Sequence, residues 1–212
     1  MPIDLILQQP ALGIAWVAAI LLALSVHEFA HAAAATALGD STARDAGRLT
    51  VNPLAHIDVL GFLMLLLVGF GWGKPVPFDA RRIRYSRWGP TCIALAGPFV
   101  NAAIVAIAGA MIAALDASGI LPANNLLVLF LAFLFQINVV LFLFNLIPIP
   151  PLDGSKVLLN VLDHPKYDRA RFFLETRGPL LLLGLVVVDG MLGGAILGRT
   201  LHAALRWAAS FF

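Results

Sequence analysis

Charge is what this sequence most lacks. Only 12% of its 212 residues are Asp, Glu, Lys or Arg, while 60% are hydrophobic; a water-soluble domain usually carries about a quarter charged residues. That balance excludes a water-soluble globule. The single cysteine, Cys92, lies within an apolar run, so neither a disulfide framework nor a cysteine-built zinc site is available. Glutamate is almost as scarce, with only Glu28 and Glu175. Met1 to Pro10 holds no Lys or Arg, and no small-residue cleavage site follows a short apolar stretch, so no cleaved signal peptide is expected. With no internal repeat or low-complexity linker, residues 1–212 read as one domain.

What is abundant is apolar length. Ala11 to Leu38, Gly89 to Leu115 and Asn125 to Ile149 each reach the roughly 20 residues that cross about 30 Å of hydrocarbon as a helix. The first should stop at Gly39-Asp40, and the second carries an internal Gly97-Pro98 that is expected to kink it. Leu60 to Phe70 is too short to cross and suits a re-entrant segment, followed by an irregular Gly71 to Pro77 loop beside the site. The third run ends in Pro148, Pro150 and Pro151, which cannot continue a helix. Gly178 to Leu197 is expected to span once more, or Gly178 to Val188 to span halfway, with Arg199 to Phe212 left as an amphipathic outer tail. No role is assigned to Asp189.

Twelve of the fourteen basic residues fall at 44–48, 74–87 and 156–177, and none lies between Asp116 and Asn124. By the positive-inside rule those three segments are cytoplasmic and the 116–124 connection is outside. The basic residues therefore set topology, and no nucleic-acid partner is implied. The fold expected is an all-α polytopic membrane protein of about four to six transmembrane or half-spanning helices, with a re-entrant hairpin near the site.

The chemistry concentrates in His27-Glu28-Phe29-Ala30-His31. Residues four apart on a helix share a face, so the two imidazoles can grip one metal ion with Glu28 beside it as general base. A competing reading is two histidines and a glutamate satisfied by helix packing. Inside an apolar span, however, three ionisable residues together are costly and need a shared reason. A catalytic zinc needs a third protein ligand and an open position. Glu175 lies in a basic cytoplasmic segment, Ala34 and Ala37 occupy the positions where an extended motif would carry glycine and histidine, and His56, His164 and His202 lie in connections or the tail. Asp153, at the end of an apolar span on the same side of the membrane as His27 and His31, is the better candidate; its alternative role is a helix cap. Asn145 can donate to a developing oxyanion, whereas Asn101 and Asn138 are expected to make interhelical hydrogen bonds and His56 to pack a loop. His31 precedes Gly39 by eight residues, which puts the metal about 12 Å inside the cytoplasmic end of the first helix.

The HEFAH helix, Gly97-Pro98-Phe99-Val100-Asn101 and Asn145 to Gly154 together resemble the three motifs of the site-2 protease family of intramembrane zinc metalloproteases. Asn52 to Asp58 and the Gly71 to Pro77 loop resemble a compact bacterial branch of it, without PDZ insertion or regulatory appendage. The resemblance implies one zinc per chain held by His27, His31 and Asp153, water activated by Glu28, and Asn145 on the substrate carbonyl. It also implies transmembrane protein or peptide substrates, residence in the lipid bilayer of a bacterial inner membrane, and a site toward the cytoplasm. Rival readings are a metal transporter, which should line a through-path with ionisable groups, and a catalytically silent relative that binds client helices. The sequence does not indicate an oligomeric state.

Overall fold

A computed structural model describes residues 2–85 and 87–212. Among these the protein is helical without β-strands, apart from an isolated antiparallel bridge between Ile57 and Gly73. The three helices long and apolar enough to cross a membrane are α2, α5 and α6, whose ranges follow; with them the chain reads as an integral membrane protein.

Helix α1 (Pro2–Gln8) folds back on α2 (Pro10–Ala37) where Gly13 meets Ile6, so closely that a Cβ there would sit 2.6 Å from the Ile6 Cα. Buried Ala15, Ala19, Ala23, Ala32 and Ala35 line α2, and such small side chains let neighbouring backbones approach where hydrocarbon offers no hydrophobic driving force. The helix stops because Gly39 turns left-handed (φ +104°) while its amide and that of Asp40 return to the carbonyls of Thr36 and Ala35. After α3 (Thr42–Asp45), the short apolar stretch forms α4 (Val59–Val68), started by Asp58 accepting from the Gly61 amide at 2.8 Å. Residues 71–79 return without regular structure.

Helices α5 (Gly89–Ser118) and α6 (Leu126–Asn145) complete a core with α2. Ala19, Ala23 and Leu134 form one apolar cluster, and Ala108, Phe135 and Val139 another. The third apolar run extends to about Ile149, but α6 ends at Asn145, ahead of the prolines that cannot continue a helix: Pro148 removes a donor and restricts the residue before it. Helix α7 (Gly154–Val161) then leads back along the start of α5, where Asn160 donates to the Thr91 hydroxyl at 3.2 Å.

The C-terminal region differs from expectation. Helix α8 (Asp168–Met191) starts ten residues before Gly178 and takes Arg169, Arg171 and Arg177 into its first turns, with Arg171 paired to Asp163 and Glu175. It does not run on to Leu197: Gly193 and Gly194 are left-handed (φ +65° and +74°) and break it before α9 (Leu197–Ala209). Asp189, left without a role by the sequence, closes this break by accepting from the Ile196 and Leu197 amides at 2.7 and 3.0 Å. The expected outer tail is the docked helix α9, whose Ala208 joins the Ala108–Phe135 cluster while Phe212 lies against Phe135 and Gly109.

Asp40 ties the end of α2 to the segment before α5. It is fully buried and accepts from the Thr42 amide and hydroxyl and from the Asp79 amide at 2.6 Å. Burial pushes its carboxyl up, but the hydrogen bonds from Thr42 and Asp79 outweigh this and hold it below the usual range. Stability from this group is complete above its unfolded value near 3.9 and is lost as pH falls through the lower folded value. Asp40→Ala should cost about 2 kcal/mol or more, because it orphans buried amides. Urea unfolding in detergent at neutral pH checks this, and the difference from wild type should shrink below about pH 4.

Candidate metal centre

The helical repeat of α2 puts His27 and His31 on one face, with their rings edge to face and their Nε2 atoms 3.0 Å apart. Asp153, delivered by the turn between α6 and α7, brings Oδ2 to 3.2 Å from His27 Nε2 and 3.3 Å from His31 Nε2. Both histidines are buried. Gly97 of α5 makes room: a Cβ there would sit 2.5 Å from His31 Nε2 and 2.6 Å from His27 Cε1.

Which nitrogen of each ring holds the proton follows from hydrogen-bond directions that start at backbone carbonyls. The Leu134 carbonyl can only accept, so Asn138 donates its amide to it at 2.7 Å and presents its oxygen to Asn101. Asn101 donates to that oxygen at 2.7 Å, which leaves Asn101 Oδ1 to accept from His27 Nδ1 at 2.5 Å. On the other ring, His31 Nδ1 donates to the Ile93 carbonyl at 2.7 Å. With Nδ1 committed as the donor, each imidazole in its neutral form aims an Nε2 lone pair inward. The buried Asp153 Oδ2 has no hydrogen-bond donor.

In that neutral form three electron pairs face one another. Such a cluster repels itself unless a cation sits among its members, and two imidazole nitrogens with one carboxylate oxygen are a donor set that zinc takes while keeping a position open. These three are the one His, Cys, Asp or Glu group among the described residues arranged to hold a metal.

The other candidates are not among the three converging ligand atoms. Glu28 is half-buried one residue from His27, and its carboxylate accepts no hydrogen bond among the described residues. Asn145 is half-buried at the end of α6 and donates one amide hydrogen to the Leu141 carbonyl at 3.1 Å, leaving its second uncommitted. His56 is fully buried in the loop, with Nε2 on the Thr50 carbonyl at 2.7 Å, and His164 and His202 are exposed. The interhelical hydrogen bond expected of Asn101 and Asn138 is present, and it extends to His27, a connection the sequence did not signal.

YwhC of Bacillus subtilis, provisionally named a zinc metalloprotease, is 35% identical over 188 residues, which cover 87% of this chain and 84% of YwhC. The description Peptidase family M50 matches residues 117–185, which include Asn145 and Asp153. The chain belongs to peptidase family M50, the site-2 protease family. Two further relatives carry the same provisional name, both called Rip2. The Mycolicibacterium smegmatis protein is 30% identical over 81% of this chain and 66% of its own length. That of Mycobacterium tuberculosis is 32% identical over 71% of this chain and 58% of its own length, so this chain spans less than two-thirds of the Rip2 proteins. No solved structure matches the chain.

The hydrogen-bond chain has a measurable consequence. Asn101→Leu removes the acceptor that orients His27 and should weaken metal binding by about 10- to 100-fold, the range typical when a ligand's supporting partner is lost. Chelator competition on purified protein measures it; unchanged affinity would show that Asn101 only packs the helices.

Proposed function

We propose that the chain is a zinc-dependent intramembrane endopeptidase that hydrolyses peptide bonds in or near the transmembrane segments of other membrane proteins. The observation that carries this reading is the convergence of His27 Nε2, His31 Nε2 and Asp153 Oδ2 inside a helical core, in a chain of the M50 family. When bound there, zinc supplies Lewis acidity that brings the pKa of water down to about 7. Glu28, whose carboxylate accepts no hydrogen bond among the described residues, takes the proton from that water and returns it to the departing amine. Asn145 uses its free amide hydrogen to donate to the carbonyl oxygen as negative charge builds there. The Nδ1 hydrogen bonds hold both imidazoles still throughout, so no reorganisation accompanies the reaction.

The substrate is a membrane-spanning helix that unwinds locally, since an intact helix keeps its carbonyls within its own hydrogen-bond ladder. α4 and the 71–77 loop form the re-entrant hairpin, and four to six spanning or half-spanning helices make up the protein in a bacterial inner membrane. The basic segments 81–87 and 166–171 support a water-accessible opening of the site at the cytoplasmic face. A transporter is disfavoured because the ionisable side chains gather at one depth rather than along a path; retention of Glu28 disfavours a silent relative.

Purified protein should contain about one zinc per chain, and Ala at His27, His31 or Asp153 should remove it. Full zinc and activity in Asp153→Ala would misassign the third ligand. Glu28→Gln should retain zinc yet cleave no membrane-spanning reporter, because an amide cannot accept the proton. Asn145→Ala should keep zinc and slow cleavage by about 10²; wild-type turnover in either variant would remove that residue from its role. New termini mapped by mass spectrometry should lie within the reporter's span near its cytoplasmic end.

A further inference from the structure

Among the described residues Arg48 is the one Lys or Arg that is buried. It is only 5% exposed, although it lies outside the three apolar spans. Its Nη2 donates to the Lys74 carbonyl at 2.5 Å and to the Pro75 carbonyl at 2.7 Å, while Nη1 is buried without a partner. The same strip of chain is held from another side: the Lys74 amide donates to the carbonyl of fully buried His56 at 2.8 Å. Lys74 thus has both main-chain groups taken, and the bridge between Ile57 and Gly73 continues the contact.

The strip is pressed against two helices. A Cβ on Gly61 of α4 would overlap the Trp72 carbonyl, and one on Gly73 would touch both methyl carbons of Leu24 at 3.3 Å. Leu24 precedes His27 by one turn on the same helix face. Between these elements lies a cavity of about 100 Å³, walled by Ile20, Leu24, Phe62, Leu65, Trp72 and Leu141. Leu141 lies one turn before Asn145, and its carbonyl accepts from the Asn145 amide. The cavity therefore borders both the helix that bears the histidines and the helix that bears Asn145. It is smaller than the roughly 300 Å³ at which whole-ligand pockets begin, and has the scale of one side chain.

We propose that this cavity is a subsite for a single aliphatic side chain of the substrate next to the cleaved bond, and that Arg48 is the positioning residue that holds its wall. The proposal rests on the peptidase reading above. Burial of a guanidinium on two carbonyls is costly, and the arrangement anchors the strip whose Gly71, Trp72 and Gly73 form part of the cavity's non-helical wall. Arg48 reaches both carbonyls through one nitrogen, Nη2, at the end of its long side chain; lysine keeps the charge and several donors on a different stem, so it should restore part of what alanine removes.

The test uses the full-length protein in detergent with zinc bound and a reporter bearing one Ala/Leu-rich span, whose residues around the cut are changed singly to Ala, Leu or Trp. Wild type should prefer Leu. Arg48→Ala should raise KM for the Leu reporter about tenfold, with zinc content and kcat within about twofold of wild type, and Arg48→Lys should fall between. Leu141→Ala enlarges the cavity and should move the preference from Leu towards Trp. Faster amide exchange over residues 72–76 in Arg48→Lys, read by mass spectrometry, should accompany the KM change even if the alanine variant fails to fold. Wild-type KM in both Arg48 variants, or an unchanged order of reporters in Leu141→Ala, overturns this proposal alone. A zinc-loaded wild type that cleaves no reporter overturns the peptidase reading and this proposal with it.

Discussion

Two imidazole nitrogens and a carboxylate oxygen held within 3.3 Å of one another impose the constraint on which the rest of the structure depends. In water such an encounter would be relieved by solvent, but in the core of a bundle it persists only if a cation occupies it and if each acceptor is prevented from turning away. The prevention is built in layers. The Leu134 carbonyl orients Asn138, Asn138 orients Asn101, and Asn101 orients His27, so three helices share one directional chain. On the other ring the Ile93 carbonyl does the same work directly.

The membrane sharpens this arrangement. Ionisable residues in an apolar span are expensive, and their cost falls only when they satisfy one another or a metal. The chain keeps its remaining charges out of the three spans almost entirely, which leaves His27, Glu28 and His31 as the polar interruption of α2. Small residues let the helices come close enough for imidazole-to-amide contact: alanines along α2, and Gly97 where α5 crosses the two rings. Any side chain at position 97 would enter the space the imidazoles need. At the other end of the site, the prolines after Asn145 end α6 early and let the chain turn Asp153 back toward α2.

Much of this was legible in the sequence where a local rule applies. The separation of four between His27 and His31 follows from helical geometry alone, and Asp153 emerged because so few other ligands exist and because the motifs around it resemble a known family. The three long spans were readable from length, with α2 and α5 close to their expected ends. What was not legible depends on which elements become neighbours. Asn101 and Asn138 read as interhelical glue, which they are, but only the packing of α2 on α5 makes them part of the histidine support. Asp189 had no role legible in the sequence because its partners lie seven and eight residues on, across a two-glycine break. Arg48 looked like a topological marker, since its carbonyl partners are 26 and 27 residues away. The break at 193–194 was hidden for a similar reason: single glycines in an apolar stretch do not announce a left-handed turn.

The central claim is that an all-nitrogen-and-oxygen site binds zinc through two imidazoles and a carboxylate. X-ray absorption at the zinc edge of the purified protein tests it most directly. Nitrogen and oxygen scatterers should appear at about 2.0–2.2 Å only, with the more distant signature of two imidazole rings. Sulfur scattering at about 2.3 Å, which only Cys92 or a methionine could supply, or the signature of three or more imidazoles, would contradict it.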